Sequence, residues 1–249
     1  MKLERAGPHK TVYPEVFKNV VIKNKVPALF CSIREQPNFN STQMQGIDHN
    51  KNFVIFKFLL EVLVNDVRHS VRLDFPELIT TERLVLHRSR YEDAEEMFYG
   101  YASKSEATRF VSWPTHHCIE DTRLHLLHVH RAWNDGTEFS FSVRDRRSYR
   151  LIGSFGLIND SGKVQFGYII NPSQWNKGFA SEVCRSMMEL LRQQERVCRV
   201  WTLVDTENTA SIRVLLKSGL EEEVRLEKWM RFVNQGNVPK DCILFRLPI

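Results

Sequence analysis

The sequence predicts a mixed α/β domain preceded by a loosely structured N-terminal extension. Two observations carry the domain. From Leu78 onward, short apolar runs with strand-like alternation are interspersed with segments of helical 3–4 spacing. Some of these strand patterns follow one another through short turns, while others are separated by a helix, so antiparallel and parallel neighbours share one sheet. A third observation sets the extension apart. Residues 1–50 are rich in Asn, Gln, Lys and Pro and show no sustained period. The extension is placed at 1–76 and the folded domain at 77–249. Within the extension, Phe53, Phe56, Leu59, Leu60, Leu63 and Val67 lie at helical spacing. They predict one amphipathic helix that packs on the domain or on a partner.

Each element of the domain has its own signal. Arg83 to Arg88 alternates as a strand, with Leu84 and Leu86 on one face. Tyr91 opens a helix through about Ala102, acidic in its first turn as the helix dipole favours. A second helix runs from Ile119 to Trp133 with Glu120 and Asp121 near its start. Glu138–Val143 and Leu151–Ile158 read as adjacent antiparallel strands across the charged turn 144–150, and Asp160-Ser161-Gly162 turns into the strand Val164–Ile170. The helix after Gly178 sets Ala180, Val183, Cys184, Met187, Leu190 and Leu191 on one face. Arg199–Val204 is the next strand. The helix Asn208–Lys217 follows, closed by Gly219. Two final strands are predicted at Glu221–Val233 and Cys242–Leu247.

Composition narrows the function classes. The chain has 249 residues, is 42% apolar and 26% charged, and has a formal net charge of +5; these are ordinary globular values. Residues 1–76 hold 11 Lys/Arg against 7 Asp/Glu, and the remainder holds 24 against 23. The domain is therefore nearly neutral, and nothing calls for nucleic acid. The five cysteines are scattered without C-x-x-C spacing, which suits reduced thiols better than a disulfide framework. Phe53 to Val64, the longest apolar run, is interrupted by Lys57 and Glu61 and is too short to span a bilayer. A soluble, cytoplasmic protein without membrane contact is the expectation.

The most informative segment is Gln174-Trp175-Asn176-Lys177-Gly178-Phe179-Ala180-Ser181-Glu182. A strand that ends in a glycine-bearing turn and opens a helix leaves unpaired N–H groups at the helix start. Those donors and the positive end of the helix dipole suit a diphosphate. Gly178 lets the backbone come close to phosphate oxygens because it has no side chain. The segment lacks the three glycines of G-x-G-x-x-G. It also lacks the nucleotide-triphosphate loop, because Lys177 precedes its glycine instead of following it. An ordinary strand-to-helix connection is the plain alternative.

The flanking residues are specific. Trp175-x-Lys177-Gly178-Phe179-Ala180-Ser181-Glu182 resembles the W-G-K-G-Y-A-T-E signature of GNAT N-acetyltransferases of the RimJ/RimL type. Three more segments fall in that family's order. Thr81-Glu82-Arg83-Leu84-Val85-Leu86 resembles its first strand. Arg109-Phe110-Val111-Ser112-Trp113-Pro114 resembles the segment between its first two helices. Asn208-Thr209-Ala210-Ser211 with Lys217-Ser218-Gly219-Leu220 resembles N-x-x-S-x-x-x-x-x-K-x-G-F. The resemblance covers about residues 78–249. It implies a GNAT fold, with a mixed central sheet of about six to seven strands flanked by four helices. It also implies acetyl-CoA as co-substrate, entering where the family's fourth and fifth strands splay apart.

The resemblance further implies site residues. Backbone groups at Ile169 and Ile170 would meet the pantetheine arm, and Trp175 and the amides from Asn176 through Lys177, Gly178, Phe179 and Ala180 the diphosphate. Lys177 can add charge or simply be solvated. Asn208 is a helix N-cap, a contact to the pantetheine amide, or both. Ser211 is the candidate for protonating or hydrogen-bonding the departing thiolate, because the tyrosine that many acetyltransferases place four residues on is Leu215 here. A capping serine is the alternative. Histone acetyltransferases of the superfamily carry a glutamate near Gln165, which cannot titrate and can only position water or amine. RimL-like enzymes carry one near Met230, with Glu227 close by, so no base is assigned.

His116, His117, Cys118, His125, His128 and His130 crowd one region, but their spacing fits no zinc pattern. No metal is expected. In the family this region borders the acceptor, so Trp113 and His116 are candidates for substrate contact, and a histidine can supply the missing base. The expected acceptor is a primary amine, either a protein N-terminus or a small molecule, and the protein a monomer or homodimer. The alternatives are a non-catalytic acyl-CoA-binding or regulatory module, motivated by the absent glutamates, and a binding protein whose 53–67 segment docks a partner.

Overall fold

A computed structural model describes residues 71–249; the predicted helix over 53–67 and the loose segment 1–50 lie outside the described residues. Eight strands form one sheet: β1 (Leu78–Thr80), β2 (Leu84–Arg88), β3 (Glu138–Asp145), β4 (Leu151–Asp160), β5 (Lys163–Ile170), β6 (Arg199–Asp205), β7 (Glu221–Arg231) and β8 (Pro239–Leu247). Their order is β1-β2-β3-β4-β5-β6-β8-β7, and every pairing is antiparallel except β5 with β6. The strand beyond the expected seven is β1. Its three residues are too few to show a period, and it exists by pairing Leu78–Thr80 with Val85–His87.

The helices are α1 (Ala94–Met97), α2 (Ser105–Thr108), α3 (Ile119–Asp135), α4 (Phe179–Arg192) and α5 (Thr209–Lys217). The predicted helix over 91–102 is built in three pieces: a 3-10 turn Tyr91–Asp93, α1, and a π-helical turn Phe98–Ala102. Ser103 closes the π turn, its backbone N–H and its hydroxyl both donating to Phe98 O. Its α2 neighbour is one turn long, too short for a periodic signal. α3 ends at Gly136, whose φ of 71° is the left-handed cap.

Packing follows the two-residue period of the strands. Ile170 belongs to a core with Val164, Phe166, Phe155 and the buried α4 residues Val183, Cys184, Met187, Met188 and Leu191. Its neighbour Ile169 points the other way, into a second cluster with Ala94, Met97, Tyr101, Leu126 and Val129. α4 therefore lies on one face and α1 on the other, with α3 packed onto α1. Each fully buried aliphatic or methionine side chain contributes about 1.5–3 kcal/mol. The predicted α4 face is close to the observed one; Ala180 and Leu190 sit at its edge and Met188 joins the core.

One buried polar network had no sequence signal. Asp93 accepts Arg144 Nη2 at 2.7 Å, Ser142 Oγ at 2.6 Å and the Arg90 N–H at 2.9 Å. Arg144 also donates from Nε to His87 Nε2 at 2.9 Å and reaches Glu96 at 2.6 Å. The Asp93 carboxyl meets a burial cost that opposes ionisation. The Ser142, Arg90 and Arg144 donors outweigh it and hold the group below its usual range. The network pins the start of α1 to the sheet.

Candidate functional site

The site begins where β5 and β6 part. They pair only over Lys163–Gln165 with Arg199–Trp201, and Thr202 Oγ1 donates to Phe166 O at 2.8 Å as the last link. Beyond it, Gly167 to Ile170 pairs with β4 alone. The Asn171 N–H donates to Ile152 O, so odd-numbered β5 residues spend their backbone groups on β4 and even-numbered ones turn theirs toward β6. Gly153 permits this close approach, since a Cβ there would stand 2.1 Å from Ile169 O. The opening is therefore lined by the backbone of Tyr168 and Ile170, while Ile169 faces β4. Trp175 Nε1 occupies Ile170 O at 2.8 Å and folds the following turn back onto the strand end.

That turn brings its amides together. Asn176 and Gly178 both adopt left-handed φ, 60° and 79°. Trp175 N–H is taken by Pro172 O and Glu182 N–H by Gly178 O. The amides between them have no acceptor among the described residues, which is the donor row a diphosphate suits. Lys177 Nζ folds locally onto Ser173 O and Gln174 Oε1 at 3.0 and 2.9 Å. A Cβ on Gly178 would meet only Arg83 Nη2, at 3.5 Å.

Arg83 is the residue sequence reasoning did not place in the site. Its Nε donates to Glu182 Oε2 at 2.6 Å and its Nη1 to Lys177 O at 3.0 Å, and its guanidinium carbon stands 4.8 Å from the Phe179 ring centre. Thr81 Oγ1 and the Arg83 N–H both donate to Glu182 Oε1, at 2.6 and 2.9 Å. The Thr-x-Arg-Leu and Gly-Phe-Ala-Ser-Glu segments are therefore two halves of one construction, and their joint occurrence was the available signal.

Across the opening, Asn208 caps α5. Its side-chain oxygen accepts the Ser211 N–H at 3.2 Å, so the serine is not the cap and its hydroxyl is left for other work. Tyr168 points from β5 toward the same place: its hydroxyl is buried beside Ser211, near enough to feel that side chain but outside hydrogen-bonding geometry, and no other described residue bonds it. Gln165 is not brought together with these groups. It lies at the closed end, paired with Trp201, on the face of β5 opposite Tyr168.

A cleft of about 790 Å³ adjoins the turn, lined by residues that include Glu106, Arg109, Phe110, Trp175, Asn234 and Lys240. Asn234, in the turn between β7 and β8, fastens its far wall. It donates to Thr108 O and Trp113 O at 2.7 and 2.8 Å and accepts the Thr115 N–H at 2.9 Å. Gln235 donates to buried Asp205 at 2.9 Å. Trp113 packs at the edge of the cluster containing Ile169, with its ring 5.0 Å from that of His116. His116 Nδ1 meets Thr122 Oγ1 at 2.7 Å, and burial pushes its pKa below the usual value, which keeps the ring neutral and able to accept a proton. Met230 pairs with Lys240, and exposed Glu227 lies in the irregular stretch of β7 between Leu226 and Met230. Among the described residues no group of three or more His, Cys, Asp or Glu is placed to hold a metal, and no helix is long and apolar enough to cross a membrane.

Comparison with known proteins adds a family. The model described as the acetyltransferase (GNAT) domain matches residues 83–221. The uncharacterised N-acetyltransferase YoaA of Bacillus subtilis is 28% identical over 176 residues, covering 70% of this chain and 97% of that protein. Among solved structures, RimL, a ribosomal L7/L12 alpha-N-protein acetyltransferase in complex with coenzyme A, superposes with a TM-score of 0.63 at 14% identity, covering 70% and 98% of the two chains. The spermidine N-acetyltransferase of Vibrio cholerae, in complex with CoA and spermine, gives 0.58 at 19%, covering 67% and 96%. At these identities the structural matches speak for the fold.

Proposed function

The chain belongs to the GNAT acetyltransferases and is an N-acetyltransferase; from that premise we propose that it moves the acetyl group of acetyl-CoA to a primary amine by direct attack on the bound thioester. The observation that carries this reading is the parting of β5 from β6 together with the amide row at Gly178 that follows β5. The amides of Asn176 to Ala180 hold the diphosphate, and the free backbone groups of Tyr168 with the N–H of Ile170 hold the pantetheine arm. Ser211 hydrogen-bonds the departing sulfur. The amine enters through the cleft beside Phe110 and Trp175, and neutral His116, packed on Trp113, is the candidate to take its proton.

The cleft also bears on the acceptor. Glu207 pairs with Lys240 at 2.6 Å and with Arg109 at 3.3 Å, so these two cations are matched one for one by Glu207 and Glu106 and no carboxylate is in excess. A polycation needs a clear excess of carboxylates to offset its desolvation. The lining is better suited to an amine without further positive charges, such as the α-amine of a polypeptide N-terminus.

Calorimetry with acetyl-CoA, followed by thiol release with a panel of N-terminal peptides, spermidine and amino acids, tests both parts. Failure to bind acetyl-CoA at millimolar concentration overturns the donor assignment. Binding without turnover on any amine favours an acyl-CoA-binding module. Preference for spermidine over peptides overturns the acceptor assignment.

A further inference from the structure

Tyr168 is the one buried side-chain hydroxyl without a hydrogen-bond partner among the described residues. Leaving a buried hydroxyl unpaired costs about 1–3 kcal/mol, so native proteins keep such groups rarely and for a reason. Its position supplies the reason. Tyr168 stands on β5 at the opening, with its backbone turned to the same gap and its side chain on the face shared with α4 and α5. Cys184 and Ser211 are the polar side chains close enough to influence it. Leu215, one turn further along α5, is 1% exposed and apolar, so that helix brings no second hydroxyl to the sulfur position.

Resting on the assignment of Ser211 to the departing sulfur, we infer that Tyr168 is a positioning residue that acts through this serine. With coenzyme bound, the phenol donates to Ser211 Oγ, and the serine O–H is thereby directed at the sulfur. A nitrogen–carbon bond forms, the carbon–sulfur bond breaks with its electron pair on sulfur, and the proton the amine gives up balances the one sulfur takes. Burial raises the phenol's pKa far above that of a thiol, with Cys184 adding to the rise and Ser211 opposing it. The phenol therefore stays protonated throughout. It is a hydrogen-bond donor and not the acid.

The test needs no acceptor. Coenzyme A itself is bound to the full chain, and its thiol is titrated by ultraviolet thiolate absorbance, with the coenzyme-free protein subtracted. In the unaltered protein the bound thiol ionises below free coenzyme A. Ser211→Ala raises that midpoint by about one pH unit, the size of one hydrogen bond to a charged acceptor. Tyr168→Phe raises it by about half as much and leaves the coenzyme dissociation constant within about twofold and the melting temperature unlowered, since the unpaired hydroxyl is what it removes. In the Ser211→Ala background, Tyr168→Phe adds nothing further. A midpoint unmoved by Tyr168→Phe, or a shift that persists without Ser211, overturns the inference while leaving the acetyltransferase reading intact. Failure of the unaltered protein to bind coenzyme A overturns both.

Discussion

Arg83 and Glu182, 99 residues apart in the chain, meet at 2.6 Å and lock the turn between β1 and β2 to the first turn of α4. The pair gives the amide row a fixed backing. Arg83 holds the turn at Lys177 O, and Glu182 sits at the helix end where the dipole favours a carboxylate. Helix α4 and the turn before it are thus oriented by a strand on the far side of β3 and β4.

The Glu182 carboxyl feels a burial cost, but the donors Thr81 and Arg83 outweigh it and hold its pKa below the usual carboxylate value. The folded value lies below the unfolded one. Its stabilisation is therefore present above about pH 4.3 and is lost as pH falls through the folded value. Glu182→Gln should cost about 1 kcal/mol at pH 7, since Arg83 is half-exposed and screened. Urea unfolding of both proteins from pH 7 to pH 3 checks this; the gap should close toward the acid end.

Gly178→Val should weaken acetyl-CoA binding by about tenfold or more. The φ of 79° costs a branched side chain about 1–2 kcal/mol, and relaxing it swings the amides out of line. The space around its Cβ is open apart from Arg83 at 3.5 Å, so strain and not a clash is the cause. Calorimetric dissociation constants for Gly178→Val and the milder Gly178→Ala should rank in that order.

Asn234→Ala removes the staple between the β7–β8 turn and the wall at Thr108, Trp113 and Thr115. It should raise KM for the amine severalfold while the acetyl-CoA dissociation constant stays nearly constant, because the amide row lies on other elements. Melting temperature should fall by a few degrees. Steady-state kinetics with both substrates varied separates the two constants.

Asp93→Ala leaves buried Arg144 without its main counter-charge and should destabilise the fold by about 3–5 kcal/mol. Pairing it with Arg144→Met should recover much of that loss, because no charge then remains buried. Urea midpoints of the single and double variants measure the recovery.

Much of the domain was readable from local patterns. Alternation located seven strands, 3–4 spacing located α3, α4 and α5, and Gly178 with its neighbours marked a phosphate turn. These features are written in consecutive residues, where backbone period and side-chain polarity coincide. The three-residue β1, the one-turn α2 and the π turn at Phe98–Ala102 were not, because none is long enough to repeat its pattern twice. Resemblance put Gln165 forward as a group that positions water or amine; strand pairing sets it at the closed end of the gap, apart from Tyr168 and Ser211.

By itself, then, the sequence determined the order of elements, the turn that offers its amides, and the family. Only the tertiary structure decided which distant groups meet: Arg83 with Glu182, Asn234 with the wall of the cleft, and the Tyr168 hydroxyl with the place of Ser211. The reason is physical. Period and propensity act along a few residues, whereas these partnerships depend on sheet order and register, which bring groups far apart in the chain to one site.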